Sequence, residues 1–116
     1  MVDRNNAWIK HRLYRQHTVP IGPAFIKDLS KLGRDLARTI MVDNIAENYQ
    51  LQQENGIAIK SWITDPNDHA LVKLIPLLEA IVIKEIPDVR IALNSYKEQF
   101  NAQLAKGVKE FHFSLE

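Results

Sequence analysis

The stretch from Arg38 to Asn44 most constrains what this chain can fold into. A basic residue is followed by a short apolar run rich in β-branched residues, and then by Asp43 and Asn44. Runs of this kind are typical of buried strands in parallel sheets. Ligands in open α/β sheets bind at the carboxyl ends of the strands. The pattern therefore predicts a buried strand that ends either in a functional pair or in a plain Asx turn.

The composition is that of one ordinary globular domain, which we expect to span residues 1–116. Hydrophobic residues make up 46% of the chain and charged residues 25%, which argues against disorder. The net charge of +1 gives no sign of a surface for nucleic acid or anionic membrane. The absence of cysteine excludes disulfides, a cysteine nucleophile and thiolate metal sites.

The N-terminal third predicts short elements separated by turns. Residues 8–11 are expected to close a helix, and residues 12–15 to form a half-buried strand. Two prolines and a glycine predict a loop at residues 18–23. Residues 24–26 then read as a brief strand that runs into Lys27. This strand is expected to present the lysine at its end.

The middle of the chain combines turns with one more strand. A helical turn is expected to end at Gly33, where glycine favours a left-handed stop, and a second turn covers residues 34–37. Residues 45–55 are polar and turn-rich. Residues 56–59 predict another short strand.

Two helices are predicted in the C-terminal part. Asp65 is a suitable N-cap for the first, with Pro66 at its first position and Pro76 as an internal kink. Its expected buried face consists of Ala70, Leu71, Leu74, Ile75, Leu78, Ile81 and Val82. The apolar stripe of the last helix consists of Val89, Ala92, Leu93, Tyr96, Phe100 and Leu104. The order of elements predicts an α/β fold with short parallel strands followed by two helices.

Familiar catalytic motifs are missing. The four histidines are not at metal-ligand spacing from one another or from a carboxylate pair. No phosphate-binding glycine loop and no nucleophile elbow occurs. The remaining candidates are Arg15, Lys27, Asp43 and Asn44. The lysine could neutralise phosphoryl charge while the oxygens hold Mg²⁺, or these residues could be ordinary surface side chains.

Residues 12–15, 25–36 and 40–44 together closely resemble the C-terminal half of the NLI-interacting-factor-like phosphatases. These are the small phosphatases of the RNA polymerase II C-terminal domain, within the haloacid dehalogenase superfamily. The resemblance covers roughly residues 8–93 in unbroken order. It implies the C-terminal part of a haloacid-dehalogenase-like Rossmannoid domain.

The resemblance also implies roles for the candidate residues. Lys27 matches the motif-three lysine, which stabilises the phosphoryl group and the aspartyl-phosphate intermediate. Asp43 and Asn44 match the motif-four pair, which serves Mg²⁺ and positions the lysine. Arg15 matches an arginine that contacts the phosphorylated substrate. The implied cofactor is Mg²⁺ in the complete domain, with weak or no binding expected in this chain alone.

One departure bears on activity. The family reaction begins with a nucleophilic aspartate in an Asp-x-Asp motif, and this sequence contains none. Without that group no aspartyl-phosphate can form, so we expect the chain to be inactive alone. The alternative is a non-catalytic binding module, because residues 74–96 also resemble the mitochondrial presequence-translocase receptor. Against this, that receptor usually lacks the pair seen at Asp43 and Asn44.

The expected partners follow from the same comparison. A phosphoprotein is the substrate implied for the complete domain. The strand at residues 40–42 would lack a neighbour, and an open apolar edge invites pairing, so we expect a homodimer or pairing with a missing N-terminal half. No apolar run approaches the roughly 20 residues of a membrane span. We expect a nuclear or cytoplasmic location, with the mitochondrion as the alternative.

Overall fold

The structure is a computed structural model, and it describes residues 7–59, 71–108 and 111–115. Within these residues the chain is a mixed α/β structure, as predicted. The strands are β1 (Val19–Ile21), β2 (Ala24–Ile26), β3 (Met41–Asp43) and β4 (Gly56–Ala58), and the helices are α1 (Ile75–Ile83) and α2 (Val89–Ala105). Short 3₁₀ turns lie at Arg15–His17, Leu29–Leu32, Leu36–Arg38, Ala46–Asn55 and Val72–Leu74.

The strands form two separate pairs. β1 and β2 make an antiparallel hairpin, whereas β3 and β4 are parallel, with Asp43 opposite Ala58. The predicted loop at residues 18–23 was therefore partly wrong, because β1 occupies it. Pro20 is compatible with an edge strand, and Gly22 turns the hairpin with a φ of 58°. Among the described strands the parallel arrangement holds only for β3 and β4, and the Rossmannoid topology stays a prediction.

The predictions for the N-terminal segment were wrong. Residues 8–11 are not helical, and residues 12–14 form no strand, since the first regular element of the described part is the 3₁₀ turn at Arg15–His17. Trp8 and Leu13 are 81% and 61% exposed. Apolar residues favour a strand or helix only where they are buried, and here the described fold gives them no such surface.

The core lies between α1, α2 and β4. The buried cluster consists of Ile57, Leu74, Leu77, Ile81, Val89, Ala92 and Leu93. The predicted buried face of the first helix was therefore partly right, since Leu74 and Ile81 are buried as predicted, and Ala70 lies outside the described residues. Leu77 is fully buried, whereas Leu71, Ile75, Leu78 and Val82 are exposed. Pro76 does not kink the helix because it lies in the first turn of α1, where its missing N–H is not needed.

Helix α2 contains the whole predicted apolar stripe, from Val89 to Leu104. Asp88 caps its N-terminus by accepting a hydrogen bond from the amide of Arg90. Only the first half of its apolar stripe is core, since Phe100 is 42% and Leu104 64% exposed. The predicted cap at residues 65–66 lies outside the described residues. No described helix is both long and apolar enough to span a membrane.

The segment Ala46–Asn55 connects the hairpin to the parallel pair. Asn48 accepts a backbone hydrogen bond from Lys27 at 2.7 Å. The side chain of Gln52 accepts from the amide of Leu29 at 2.9 Å and donates to the carboxylate of Asp28 at 2.9 Å. These bonds fix the end of β2 beside the end of β3.

Candidate functional site

Lys27 and Asp43 form an ion pair where two strands end. Lys27 directly follows β2, and Asp43 is the last residue of β3. The lysine Nζ lies 2.5 Å from Oδ2 of the aspartate. The aspartate side chain is 3% exposed, whereas the lysine side chain is 43% exposed. A buried carboxylate therefore holds a cation that remains accessible to a ligand.

The carboxylate of Asp43 is further held by local donors. Its Oδ1 accepts from the amide of Ile45 at 3.0 Å and from Nδ2 of Asn48 at 3.3 Å. Burial opposes ionisation, but the hydrogen bonds from Lys27, Ile45 and Asn48 and the lysine charge together hold the pKa of Asp43 below its ordinary value. Asp43 is thus ionised near neutral pH, which suits the positioning of a cation better than the donation of a proton.

Two residues of this site were not predicted from the sequence. Asn48 supports both members of the pair, through its backbone to Lys27 and through its side chain to Asp43. Tyr49 is buried next to them, and burial together with the charges of Asp43 and Glu47 raises the pKa of Tyr49. The only sequence signal for Asn48 was its place one helical turn after the Asp43 strand.

A cavity of about 1070 Å³ opens beside the ion pair. Its wall is mostly apolar and includes Tyr14, Phe25 and Met41, and it is also lined by Arg15 and Lys27. The guanidinium carbon of Arg15 lies 4.8 Å from the centre of the Phe25 ring, which is a cation–π arrangement. The cavity therefore offers three cations, Arg15, Lys27 and Lys31, beside an apolar wall, and Asp28 and Glu47 also line it. The excess of cations suits an anionic group carried on a larger molecule.

The described residues do not by themselves fit a complete Mg²⁺ site. Both oxygens of Asp43 already accept hydrogen bonds from protein donors. Asn44 is exposed at the end of β3 and supplies one further amide oxygen. In the described part of the chain no group of three or more histidine, aspartate or glutamate side chains could hold a metal. Mg²⁺ requires a near-octahedral set of oxygen ligands, which these residues do not complete.

Comparison with known proteins decides the family. The family model described as NLI interacting factor-like phosphatase matches residues 1–90. The chain belongs to the NLI interacting factor-like phosphatase family. The predicted resemblance is thereby confirmed, and all four candidate residues lie inside the matched region.

Two kinds of relative are found within this family. CTD small phosphatase-like protein 2 of Dictyostelium discoideum is 44% identical over 90 residues, which cover 78% of this chain and 15% of the relative. CTD nuclear envelope phosphatase 1B of Danio rerio is 42% identical over 80 residues, which cover 69% of this chain and 33% of the relative. Mitochondrial import inner membrane translocase subunit TIM50 of Candida albicans is 40% identical over 100 residues, which cover 86% of this chain and 21% of the relative. The chain spans a third or less of each of these relatives.

Proposed function

We propose that this chain is the C-terminal portion of a Mg²⁺-dependent protein serine/threonine phosphatase of the polymerase-tail phosphatase family. One observation carries the proposal, namely the exposed ammonium of Lys27 held by buried Asp43 at the mouth of a cavity that Arg15 also lines. In this proposal the chain contributes the half of the site that stabilises charge.

The chemistry assigned to these residues is electrostatic. Lys27 faces the phosphoryl group of a phosphoprotein and offsets its negative charge as the bond to oxygen breaks. Asp43 keeps the ammonium in place, and Arg15 binds a second phosphoryl oxygen or the substrate beside it. The nucleophile of the family is an aspartate that this sequence does not contain, so the chain alone is proposed to be inactive.

The metal belongs to the complete domain in this proposal. In the complete domain Asn44 would be the direct ligand of the metal, and Asp43 would support it while holding Lys27. Because the described residues do not complete an octahedral ligand set, we propose that this chain alone binds Mg²⁺ weakly or not at all.

A non-catalytic binding module is the second candidate. The alignment with the TIM50 subunit of Candida albicans extends over 86% of the chain, against 78% for CTD small phosphatase-like protein 2. That longer match favours a role in binding, without phosphoryl transfer. We also propose a nuclear or cytoplasmic location, with the mitochondrion as the alternative; the relatives include a nuclear envelope phosphatase and a mitochondrial translocase subunit.

Thermal melts with vanadate and Mg²⁺ distinguish the two candidates. We expect vanadate to raise the melting temperature of the chain, and we expect Lys27→Ala to remove that shift, because it deletes the anion-binding ammonium. Asn44→Ala removes any additional shift caused by Mg²⁺. The matched controls are Lys73→Ala and Asn101→Ala, both at exposed positions away from the cavity.

Each melting temperature with ligand is compared with the melting temperature of the same variant without ligand. A change in stability caused by the substitution itself therefore does not affect the shift. A binding module predicts no vanadate shift in any variant. Hydrolysis of p-nitrophenyl phosphate by the purified chain, with ordinary Mg²⁺ dependence, would show that the nucleophile had been misplaced.

The free edge of β3 is the proposed partner surface. Among the described strands β3 pairs only with β4, and Val42 is 36% exposed. An unpaired apolar strand edge is a template for another strand. We therefore propose a homodimer or pairing with an N-terminal half, and a monomer by light scattering at high concentration would contradict the homodimer.

A further inference from the structure

The ring of His17 closes the turn that carries Arg15. The amide of Tyr14 donates to Nδ1 of His17 at 2.7 Å, and the amide of His17 donates to the carbonyl of Tyr14 at 2.9 Å. These bonds join the two ends of a turn that has Arg15 and Gln16 in its middle. Residues 9–14 form no regular element, so the side chain of His17, rather than a helix or a strand, binds the amide of Tyr14.

The C-terminal side of the same turn is fixed by Thr18. Its amide, at 3.0 Å, and its hydroxyl, at 2.6 Å, both donate to the carbonyl of Arg15. β1 begins at the next residue, Val19, so this side is continuous with the hairpin. The backbone of Arg15 is therefore held on one side by Thr18 and on the other by the ring of His17.

The side chain of Arg15 extends from this turn to the hairpin. Its guanidinium carbon lies 4.8 Å from the centre of the Phe25 ring, and Arg15, His17 and Phe25 line the same cavity as Lys27. A cation–π contact at an exposed site is weak, and a long arginine side chain loses much rotamer freedom when it is held in place. The position of the guanidinium therefore depends on a backbone that is already fixed.

The bond to Tyr14 also defines the state of the His17 ring. Because Nδ1 accepts a hydrogen bond from an amide, it carries no proton, and the ring is neutral with its hydrogen on Nε2. A protonated imidazole donates from both nitrogens and cannot accept this bond. Histidine side chains ordinarily change their charge between pH 5 and 8. The turn is thus closed by a bond that exists only in the neutral form.

Other titratable side chains face the cavity that His17 lines. They are Tyr14 and Arg15 of its own turn, Lys27 and Asp28 after β2, Lys31 of the next turn, and Glu47 of the segment Ala46–Asn55. Carboxylates, lysines, arginines and tyrosines ordinarily titrate outside the range from pH 5 to pH 8. A change within that range at this end of the cavity therefore reports on His17.

We propose that neutral His17 is a positioning residue, which holds Arg15 in the cavity for the anionic group of the substrate. It acts through Arg15 and not by contact with the anion. By closing the turn it keeps the guanidinium against Phe25, where it faces the same cavity as Lys27. Protonation of His17 opens the turn and releases Arg15. The consequence for anion binding rests on the proposed function, whereas the hold on Arg15 does not.

NMR of the full chain tests the hold on Arg15 without any anion. The ring of Phe25 shields the Cδ protons of Arg15, and this ring shift is measured as the difference from Phe25→Leu. We expect His17→Ala to remove most of the ring shift and His17→Asn to retain it, because the asparagine oxygen can accept from the amide of Tyr14 in place of Nδ1. Gln16→Ala, an exposed substitution within the same turn, is the matched control and should leave the ring shift unchanged.

The pH dependence distinguishes a titrating hydrogen bond from ordinary packing. In the unaltered chain the ring shift of Arg15 should fall as pH is lowered from 8 to 5, in step with the titration of the Cε1 proton of His17 in the same spectra. In the His17→Asn chain it should stay constant. Long-range ¹H–¹⁵N correlation spectra at pH 8 should show Nδ1 as the unprotonated nitrogen. Circular dichroism at both pH values checks that each variant remains folded.

Vanadate titrations at pH 8 measure the consequence for anion binding. His17→Ala should weaken binding on the order of fivefold, which corresponds to the loss of one ordinary hydrogen bond, and His17→Asn should bind as the unaltered chain does. In an Arg15→Ala chain the further change His17→Ala should have no effect, because no guanidinium is left to position. Binding by His17→Asn as weak as that by His17→Ala would indicate direct contact through Nε2 and would overturn the positioning role.

Three further outcomes would overturn the proposal. They are a ring shift of Arg15 that His17→Ala leaves intact, a ring shift that does not change between pH 8 and pH 5, and a loss of vanadate affinity from His17→Ala that persists in the Arg15→Ala chain. Failure of every form of the chain to bind vanadate would contradict the proposed function. The anion-free spectra would then still decide whether His17 holds Arg15.

Discussion

Lys27 and Asp43 lie at the ends of strands from two different sheets, yet their side chains meet at 2.5 Å. The lysine follows a strand of the antiparallel hairpin, and the aspartate ends a strand of the parallel pair. Because the carboxylate is buried and the ammonium is not, the pair presents positive charge to solvent. Its contribution to folding and its proposed contribution to anion binding can be measured separately.

Removal of the Lys27 charge should destabilise the fold in a pH-dependent way. Lys27→Met leaves the buried carboxylate of Asp43 without its cation, and we expect a loss of about 1–3 kcal/mol in the free energy of unfolding at pH 7. The pKa of Asp43 is lowered in the folded state, so the stabilisation is present above the unfolded-state pKa of about 3.9 and is lost as pH falls through the folded-state pKa. Urea titrations at several pH values measure this effect.

The control for this series is Lys73→Met, which replaces an exposed lysine that forms no ion pair with another described residue. Its unfolding free energy should stay within about 0.5 kcal/mol of the unaltered chain. A Lys27→Met deficit that is the same at pH 3 as at pH 7 would contradict the role assigned to Asp43.

Gly56 should not tolerate a side chain. A Cβ atom at this position would overlap the ring of Tyr49, which is 5% exposed and has little room to move. We expect Gly56→Ala to cost about 1–3 kcal/mol of unfolding free energy, because overpacking forces strained rotamers or backbone shifts. Combining it with Tyr49→Leu should be less costly than the sum of the single changes. Strict additivity would mean that the two residues do not meet.

Adjacent leucines in α1 test which face of the helix is core. Leu77 is fully buried and Leu78 is 39% exposed. We expect Leu77→Ala to cost about 2–5 kcal/mol, because it leaves a cavity between the helices and β4. Leu78→Ala, which removes the same atoms from the surface, should cost much less. Thermal and urea unfolding of the two variants side by side give the comparison, and equal losses would contradict this packing.

At the N-cap of α2, two variants of Asp88 distinguish the stabilising effect of its hydrogen bond from that of its charge. Oδ1 of Asp88 accepts from the amide of Arg90, and the guanidinium of Arg90 donates to both carboxylate oxygens. Asp88→Asn retains an oxygen for the cap but loses the charge, whereas Asp88→Ala loses both. We expect the melting temperature to fall more in the alanine variant than in the asparagine variant. Equal melting temperatures would indicate that the exposed ion pair alone matters.

Short strands bounded by clear signals were the most predictable part of the fold. The apolar runs at β2, β3 and β4 were confirmed as strands and the left-handed turn at Gly33 was confirmed, because local sequence decides them. The predicted burial of β3 was wrong, since Val42 is 36% exposed. The buried face of α1 was predicted only in part, since nearly all its residues are apolar and periodicity cannot choose between faces. Tertiary contacts with α2 and β4 decide which of them is buried.

The candidate site was likewise predictable only in part from the sequence. Lys27 and Asp43 were each predicted at a strand end, but their contact depends on two sheets meeting, which no local pattern reports. Asn48 was missed because its role depends on a turn that brings its backbone to one strand and its side chain to the other. The functional roles of Arg15 and Asn44 stay predictions that the vanadate experiment addresses.

The segment Ala46–Asn55 has a consequence for how such a site can be tuned. It carries neither of the two charges of the pair, yet it bonds to the backbone of Lys27 and Leu29 and, through Asn48, to the side chain of Asp43. The relative alignment of the two sheets, and with it the direction in which the ammonium points, is therefore set by amide side chains such as Gln52. Substitutions there would adjust anion affinity gradually, while both charged residues stay unchanged.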